Sequence, residues 1–152
     1  MDRSELQQAL IGITHRFMKT NMNELFVDIT REEFFMLEMI GRHTEGDNSH
    51  KGINVSELAR KLGVSSPAVS RMLKYLESKQ LIHRQADKMD RRNTCVFLTT
   101  EGYKARSATM KIIGEFSDKI IAYMGMEEMI TLLTLWNKLA DVFEIELKNK
   151  KS

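Results

Sequence analysis

The sequence predicts a mainly α-helical protein carrying one small β-hairpin. Three observations support this. Apolar residues recur at helical spacing over most of the chain, as in Leu6, Leu10, Ile13 and Phe17 near the start and Met129, Leu133, Trp136 and Phe143 near the end. Two short helical segments meet at Gly63, a spacing suited to a helix-turn-helix. Residues 81–86 and the β-prone 94–98 flank a charged tip, 87–93, as two hairpin strands would. With 42% hydrophobic and 29% charged residues, a chain of 152 residues is globular and long enough to bury a core.

In chain order, residues 5–18 read as an amphipathic helix. Thr30, followed by Glu32 and Glu33, starts a second one, because a hydroxyl can cap the first amides and acids favour the first turn. Its apolar run of Phe34, Phe35, Leu37, Met39 and Ile40 is expected to stop near Gly41, with a polar loop over residues 43–52. Asn54 is a good N-cap, and Glu57 three residues on suggests a capping box for a short helix over 56–62. The only proline, Pro67, follows Ser66 where a new helix begins, a position that tolerates its missing N–H. Thr99 caps a long helix to about Met124, and the last helix runs from Met126 to Lys148.

The spacing around Gly63 is specific. Ala59 is small where two helices cross, Gly63 suits positive φ, and Val69 packs the second helix back on the first. At 100° per residue, Val69, Met72, Leu73 and Leu76 share one side of that second helix. Pro67, Ser70, Arg71, Lys74 and Ser78 share the other. An apolar back and an outer face of cations and small polar groups suit a helix that enters the major groove of DNA, where arginine pairs bidentately with guanine. Ser65 and Ser66 stand at the helix N-terminus, where backbone amides face a phosphate. The hairpin tip adds Lys88, Arg91 and Arg92, which suit a minor groove, with Asp87 and Asp90 placed to orient them. Helix pair and hairpin together make a winged helix-turn-helix. Residues 53–106 hold eleven Lys/Arg against five Asp/Glu in a chain of net charge +2, so the basic excess sits in this middle segment.

This pattern resembles the MarR family of transcription regulators. The resemblance rests on the helix start from Asn54 to Ala59, the helix from Ser65 to Glu77, and Asp87-Lys88-Met89-Asp90-Arg91-Arg92 leading to Leu98-Thr99-Thr100-Glu101-Gly102. Met89 stands where the family usually has arginine, and the 43–52 loop is longer than usual. The resemblance implies a homodimer, with residues 1–29 and 107–152 supplying dimerization helices and residues 30–106 the winged helix-turn-helix. It also implies a double-stranded, pseudo-palindromic DNA operator, repression as the default outcome, a minor-groove role for Arg92, and a small aromatic or phenolic effector. The broad apolar face of the last helix, with Ile130, Leu135 and Val142 beside its main stripe, agrees with a partner helix.

Other functions fit less well. No nucleophile-and-base motif, phosphate loop or helical His pair points to an enzyme or a cofactor. His43 and His50 share a loop with Glu45 and Asp47 but lack zinc-ligand spacing, and Cys95 reads as a small strand residue with no second cysteine to resolve it. A single cysteine, an N-terminus without a signal-peptide core, and no apolar run near the roughly 20 residues of a membrane span lead to the expectation of a cytoplasmic protein with no membrane contact. The rival reading is a winged helix that binds an acidic protein partner rather than DNA.

Overall fold

The computed structural model describes residues 1–45, 51–86 and 94–150. It contains helices α1 (Arg3–Lys19), α2 (Arg31–Glu45), α3 (Val55–Leu62), α4 (Ser66–Ser78), α5 (Thr100–Met124) and α6 (Met126–Asn149). Strands β1 (Ile53–Asn54), β2 (Ile82–Ala86) and β3 (Thr94–Leu98) form one antiparallel sheet in the order β1-β3-β2. The chain divides into two compact units, residues 1–110 and 111–152, with the boundary inside α5.

Local chemistry accounts for most helix starts. Asp2 and Glu5 close a capping box on α1, with Asp2 Oδ1 accepting from the Glu5 amide at 2.9 Å and Glu5 Oε2 accepting from the Asp2 amide at 2.8 Å. Thr30 and Glu33 do the same for α2. Thr99 Oγ1 accepts the Gly102 amide at 3.0 Å, as expected of the α5 cap.

The core lies where α2, α3, α4 and the sheet meet. Leu37, Ile40, Ile53, Leu58, Leu73, Leu76 and Val96 have no exposed surface, and Phe34, Met36, Val69, Ile82 and Leu98 are nearly as buried. Each such side chain contributes on the order of 1.5–3 kcal/mol by leaving water.

Three sequence expectations need correction. The sheet has three strands, not two, because Ile53 pairs with Val96 and Asn54 with Cys95. Two residues carry too little periodicity to be read as a strand; pairing with β3 defines them. Helix α2 does not stop near Gly41 but continues through Glu45, so residues 43–45 of the expected loop are helical. Gly41 instead makes room for a cation: a Cβ there would lie 2.8 Å from the Arg106 guanidinium carbon. Finally, Asn54 caps α3 by accepting from the Glu57 amide at 2.7 Å, but the Glu57 carboxylate turns to Lys61 Nζ at 3.2 Å and His43 Nδ1 at 3.8 Å. Only half of that capping box forms.

The Arg106 side chain ties α5 to α2. Its Nε donates to Glu38 at 2.7 Å and its Nη2 to Glu45 at 3.0 Å, with a further contact from Nη1 to Glu45. Glu38 also accepts from Arg42. Burial pushes the Glu38 carboxyl up, but hydrogen bonds from Arg106 and Arg42 outweigh it and hold the group below its ordinary value. Hydrogen bonding to Glu45, opposed by burial and reinforced by Glu38, raises the Arg106 guanidinium above its own.

Two helices behave differently. Neither α1 nor α6 contains a buried residue. Leu6, Ile13 and Phe17 on α1 and Leu133, Leu135 and Phe143 on α6 are all more than half exposed.

Candidate nucleic-acid interface

The helix-turn-helix forms as the spacing predicts. Gly63 ends α3 in the left-handed region, at φ 65°, and the Val64 amide donates to Ala59 at 3.2 Å across the turn. Ala59 is buried at the crossing of α3 and α4, and Val69 packs from the other side. Helix α4 starts one residue earlier than expected, with Ser65 rather than Ser66 at the N-cap position and Pro67 in the first turn. The Ser65 side chain makes no capping bond, so the first amides of α4 are left without that partner at an exposed helix end.

The outer face of α4 presents Ser65, Ser66, Pro67, Arg71 and Lys74 to solvent, with Ser70 half-buried at its margin. Val69, Leu73 and Leu76 are buried on the opposite side, while Met72 is only half-buried. Six of the predicted contact residues therefore share one helix end and face. The other four, Lys88, Asp90, Arg91 and Arg92, lie outside the described residues.

Ion pairing sorts the basic residues of this region. Lys61 meets Glu57, Lys79 meets Glu33, Arg84 meets Glu77, Lys104 meets Glu101, and Arg106 meets Glu38 and Glu45. Among the described residues, Arg60, Arg71 and Lys74 have no acidic partner within 4 Å. Among the described residues, five of the eight cations from Ile53 to Arg106 are thus compensated locally, and the three that are not lie on α4 and the adjoining α3. A surface left unneutralised in this way creates a positive potential on the outer face of α4, where its polar side chains stand.

Two connections set the position of α4. Arg84 on β2 reaches the Ser70 carbonyl with Nη2 at 3.4 Å and lies 3.2 Å from Glu77 through Nε. That Nε is buried, and the Glu77 oxygen sits outside hydrogen-bonding geometry, so the contact is electrostatic only. At the other end, the Leu81 amide donates to Leu76 at 3.0 Å and the Gln80 amide to Glu77 at 2.9 Å, a Schellman closure with Gln80 at φ 59°. Helix α5 then comes close: a Cβ on Gly102 would stand 1.9 Å from the Leu81 carbonyl oxygen. The Leu98-Thr99-x-x-Gly102 stretch therefore has a physical meaning. Leu98 is buried, Thr99 caps α5 and donates to Gln80 at 2.6 Å, and Gly102 permits the approach.

One residue on the exposed face was missed by the sequence pattern. Tyr75 is 56% exposed and follows Arg71 by four residues, which brings the two side by side. It is absent from the contact residues expected from the sequence, although the helical period alone places it about 40° from Arg71. Cys95 is buried in β3, the central strand, and His43 lies within α2 beside Glu57. Among the described residues, no three His, Cys, Asp or Glu side chains cluster as a metal site would require.

Comparisons with known proteins agree with this architecture. Residues 29–94 match the model of the MarR family. An uncharacterized HTH-type transcriptional regulator of Bacillus subtilis (strain 168), YdgJ, is 35% identical over 81 residues, covering 53% of this chain and 49% of that protein. The chain thus spans about half the length of the curated relative it matches. The S. aureus MepR–DNA complex matches with a TM-score of 0.70 at 26% identity, over 90% of this chain and 97% of that one. MepR bound to ethidium bromide matches at a TM-score of 0.56 and 25% identity, over 94% and 97%. YusO of Bacillus subtilis gives 0.65 at 26% identity, over 91% and 94%. Fold and matched domain together define a winged helix-turn-helix protein. Over residues 29–94 the chain is similar to the MarR family.

Proposed function

We propose that this protein is a transcription regulator that binds double-stranded DNA in a sequence-specific manner as a homodimer. Helix α4 enters the major groove, where Arg71 and Lys74 meet base edges or phosphates and Ser65, Ser66, Pro67 and Ser70 pack close to the backbone. The wing, with Lys88, Asp90, Arg91 and above all Arg92, reaches the neighbouring minor groove. The observation that carries this reading is the charge pattern on α4. Its outward cations lack acidic partners among the described residues, while most basic residues around them are paired.

The homodimer is supported by the open apolar faces of α1 and α6, which need a cover of similar chemistry. A two-fold protein reads a two-fold operator, hence the pseudo-palindrome. The relative MepR has been captured with DNA and with ethidium bromide, which supports DNA as partner and a small aromatic effector here. An effector that prefers a conformer with displaced wings lowers DNA affinity by its differential binding, which makes repression relieved by ligand the simplest regulatory scheme. No helix among the described residues is long and apolar enough to cross a membrane, and a regulator of this kind works in the cytoplasm.

Selection from a random duplex pool at moderate salt tests the proposal. The expected product is a pseudo-palindrome with half-sites about one helical turn apart. Arg71→Ala and Lys74→Ala should then weaken binding to it without altering dimerization, and each should reduce the salt slope by about one if it meets a phosphate. Failure to enrich any sequence, with only weak binding that fades evenly as salt rises, points to an acidic protein partner instead.

A further inference from the structure

We infer that Tyr75 is an additional DNA contact, donating its phenolic hydrogen to a phosphate at the rim of the major groove, and that Lys79, paired with the buried Glu33, positions it. This rests on the DNA-binding reading above.

Tyr75 stands on the outer face of α4. At 100° per residue it is 40° from Arg71, whereas Ser70 is a full 100° away on the other flank. The residue is 56% exposed, and tyrosine, with an apolar ring and a polar tip, is enriched at interfaces. It also stands far along the helix. Nine residues separate it from Ser66, or roughly 13 Å of helix axis, comparable with the roughly 12 Å width of the major groove. With the N-terminus of α4 at the groove floor, Tyr75 arrives at the groove edge, where the backbone runs. A neutral phenol there is a hydrogen-bond donor to phosphate oxygen.

The ring is also held. Lys79 Nζ lies 5.4 Å from its centroid, a cation–π contact. Lys79 in turn is fixed by Glu33 Oε1 at 2.8 Å, and Glu33 is 3% exposed, with its other oxygen accepting from the Thr30 amide at 2.6 Å. The start of α2 thereby anchors the cation against the ring at the end of α4. Because Glu33 neutralises Lys79, the lysine acts on DNA through the tyrosine and not as a charge of its own.

The test uses the selected operator and the full-length protein. Tyr75→Phe should weaken binding about tenfold, the scale of one hydrogen bond to a charged acceptor. The salt slope should stay unchanged, because no charge is removed. Replacing single phosphates with methylphosphonates should locate one position per half-site that matters to the wild type and not to Tyr75→Phe. Lys79→Met should lower affinity with the slope again unchanged, and combining it with Tyr75→Phe should add little. Since Lys79→Met strands the Glu33 carboxylate, the pair Glu33→Gln with Lys79→Met is measured beside it. Equal operator affinity of wild type and Tyr75→Phe overturns the contact while leaving the DNA-binding reading intact. A drop of about one in the slope for the lysine variants overturns its positioning role. If the wild type selects no duplex, the reading and this inference fall together.

Discussion

The residues from α2 to β3 and the two helices α1 and α6 follow the same amphipathic rule with opposite results. In the first region the apolar side chains meet one another, and Leu37, Ile40, Leu58, Leu73 and Val96 are wholly buried. In α1 and α6 no residue is buried, and side chains as large as Phe17 and Phe143 are more than half exposed. Periodicity therefore establishes that a face will be covered, but not by what. The described core of the winged region is covered within one chain, whereas the exposed apolar faces of α1 and α6 are those the proposed homodimer would cover.

The largest expected effect breaks the first half of that comparison. Leu37→Ala should cost about 2–5 kcal/mol of stability, and the loss should be the same at every protein concentration. Leu133→Asp, on the open face of α6, should instead yield a monomer in sedimentation with the winged region still folded. A wild-type protein that is monomeric at high concentration would show that α1 and α6 have some other cover.

A smaller effect is expected at the joint between α4 and α5. Gly102→Ala forces a methyl group onto the Leu81 carbonyl and should cost about 1–3 kcal/mol, read as a lower melting temperature. Arg106→Met removes the tie between α2 and α5. It should cost about 2 kcal/mol, less than a fully buried pair, because Glu45 is half exposed. Its pH dependence has a definite sign. Glu38 is held below the ordinary carboxylate value of 4.5, so its ionised form stabilises the fold above that pH, and this contribution is lost as pH falls through the lowered value. The gap in stability between wild type and Arg106→Met should therefore narrow below pH 4.5. A gap that widens on acidification would show that Glu38 is not the group responsible.

What could be read in the sequence was mainly what is local. Asn54, Gly63 and Thr99 act within a few residues of themselves, and each signals a cap or turn wherever it stands. The apolar back of α4 was equally legible, because its period repeats inside 13 residues. The misses have distant causes. Gly41 looks like a helix stop until Arg106, 65 residues away, is placed against it. Ile53 and Asn54 become a strand only through Val96 and Cys95. The compensation of Lys79 by Glu33 joins residues 46 positions apart. Net charge counted along the chain could not anticipate which cations would be neutralised by folding.

The closure at Gln80 has a mechanical consequence. A left-handed residue other than glycine occupies a narrow conformational well, and here the Gln80 amide and carbonyl are both bonded, to Glu77 and to Thr99. Strand β2 leaves this point as a lever of five residues, or roughly 17 Å. A rotation of about 10° at such a pivot would carry Ala86 through about 3 Å, comparable to the length of a hydrogen bond. The stiffness of one backbone angle thus adds to the pairing with β3 in fixing where Ala86 stands.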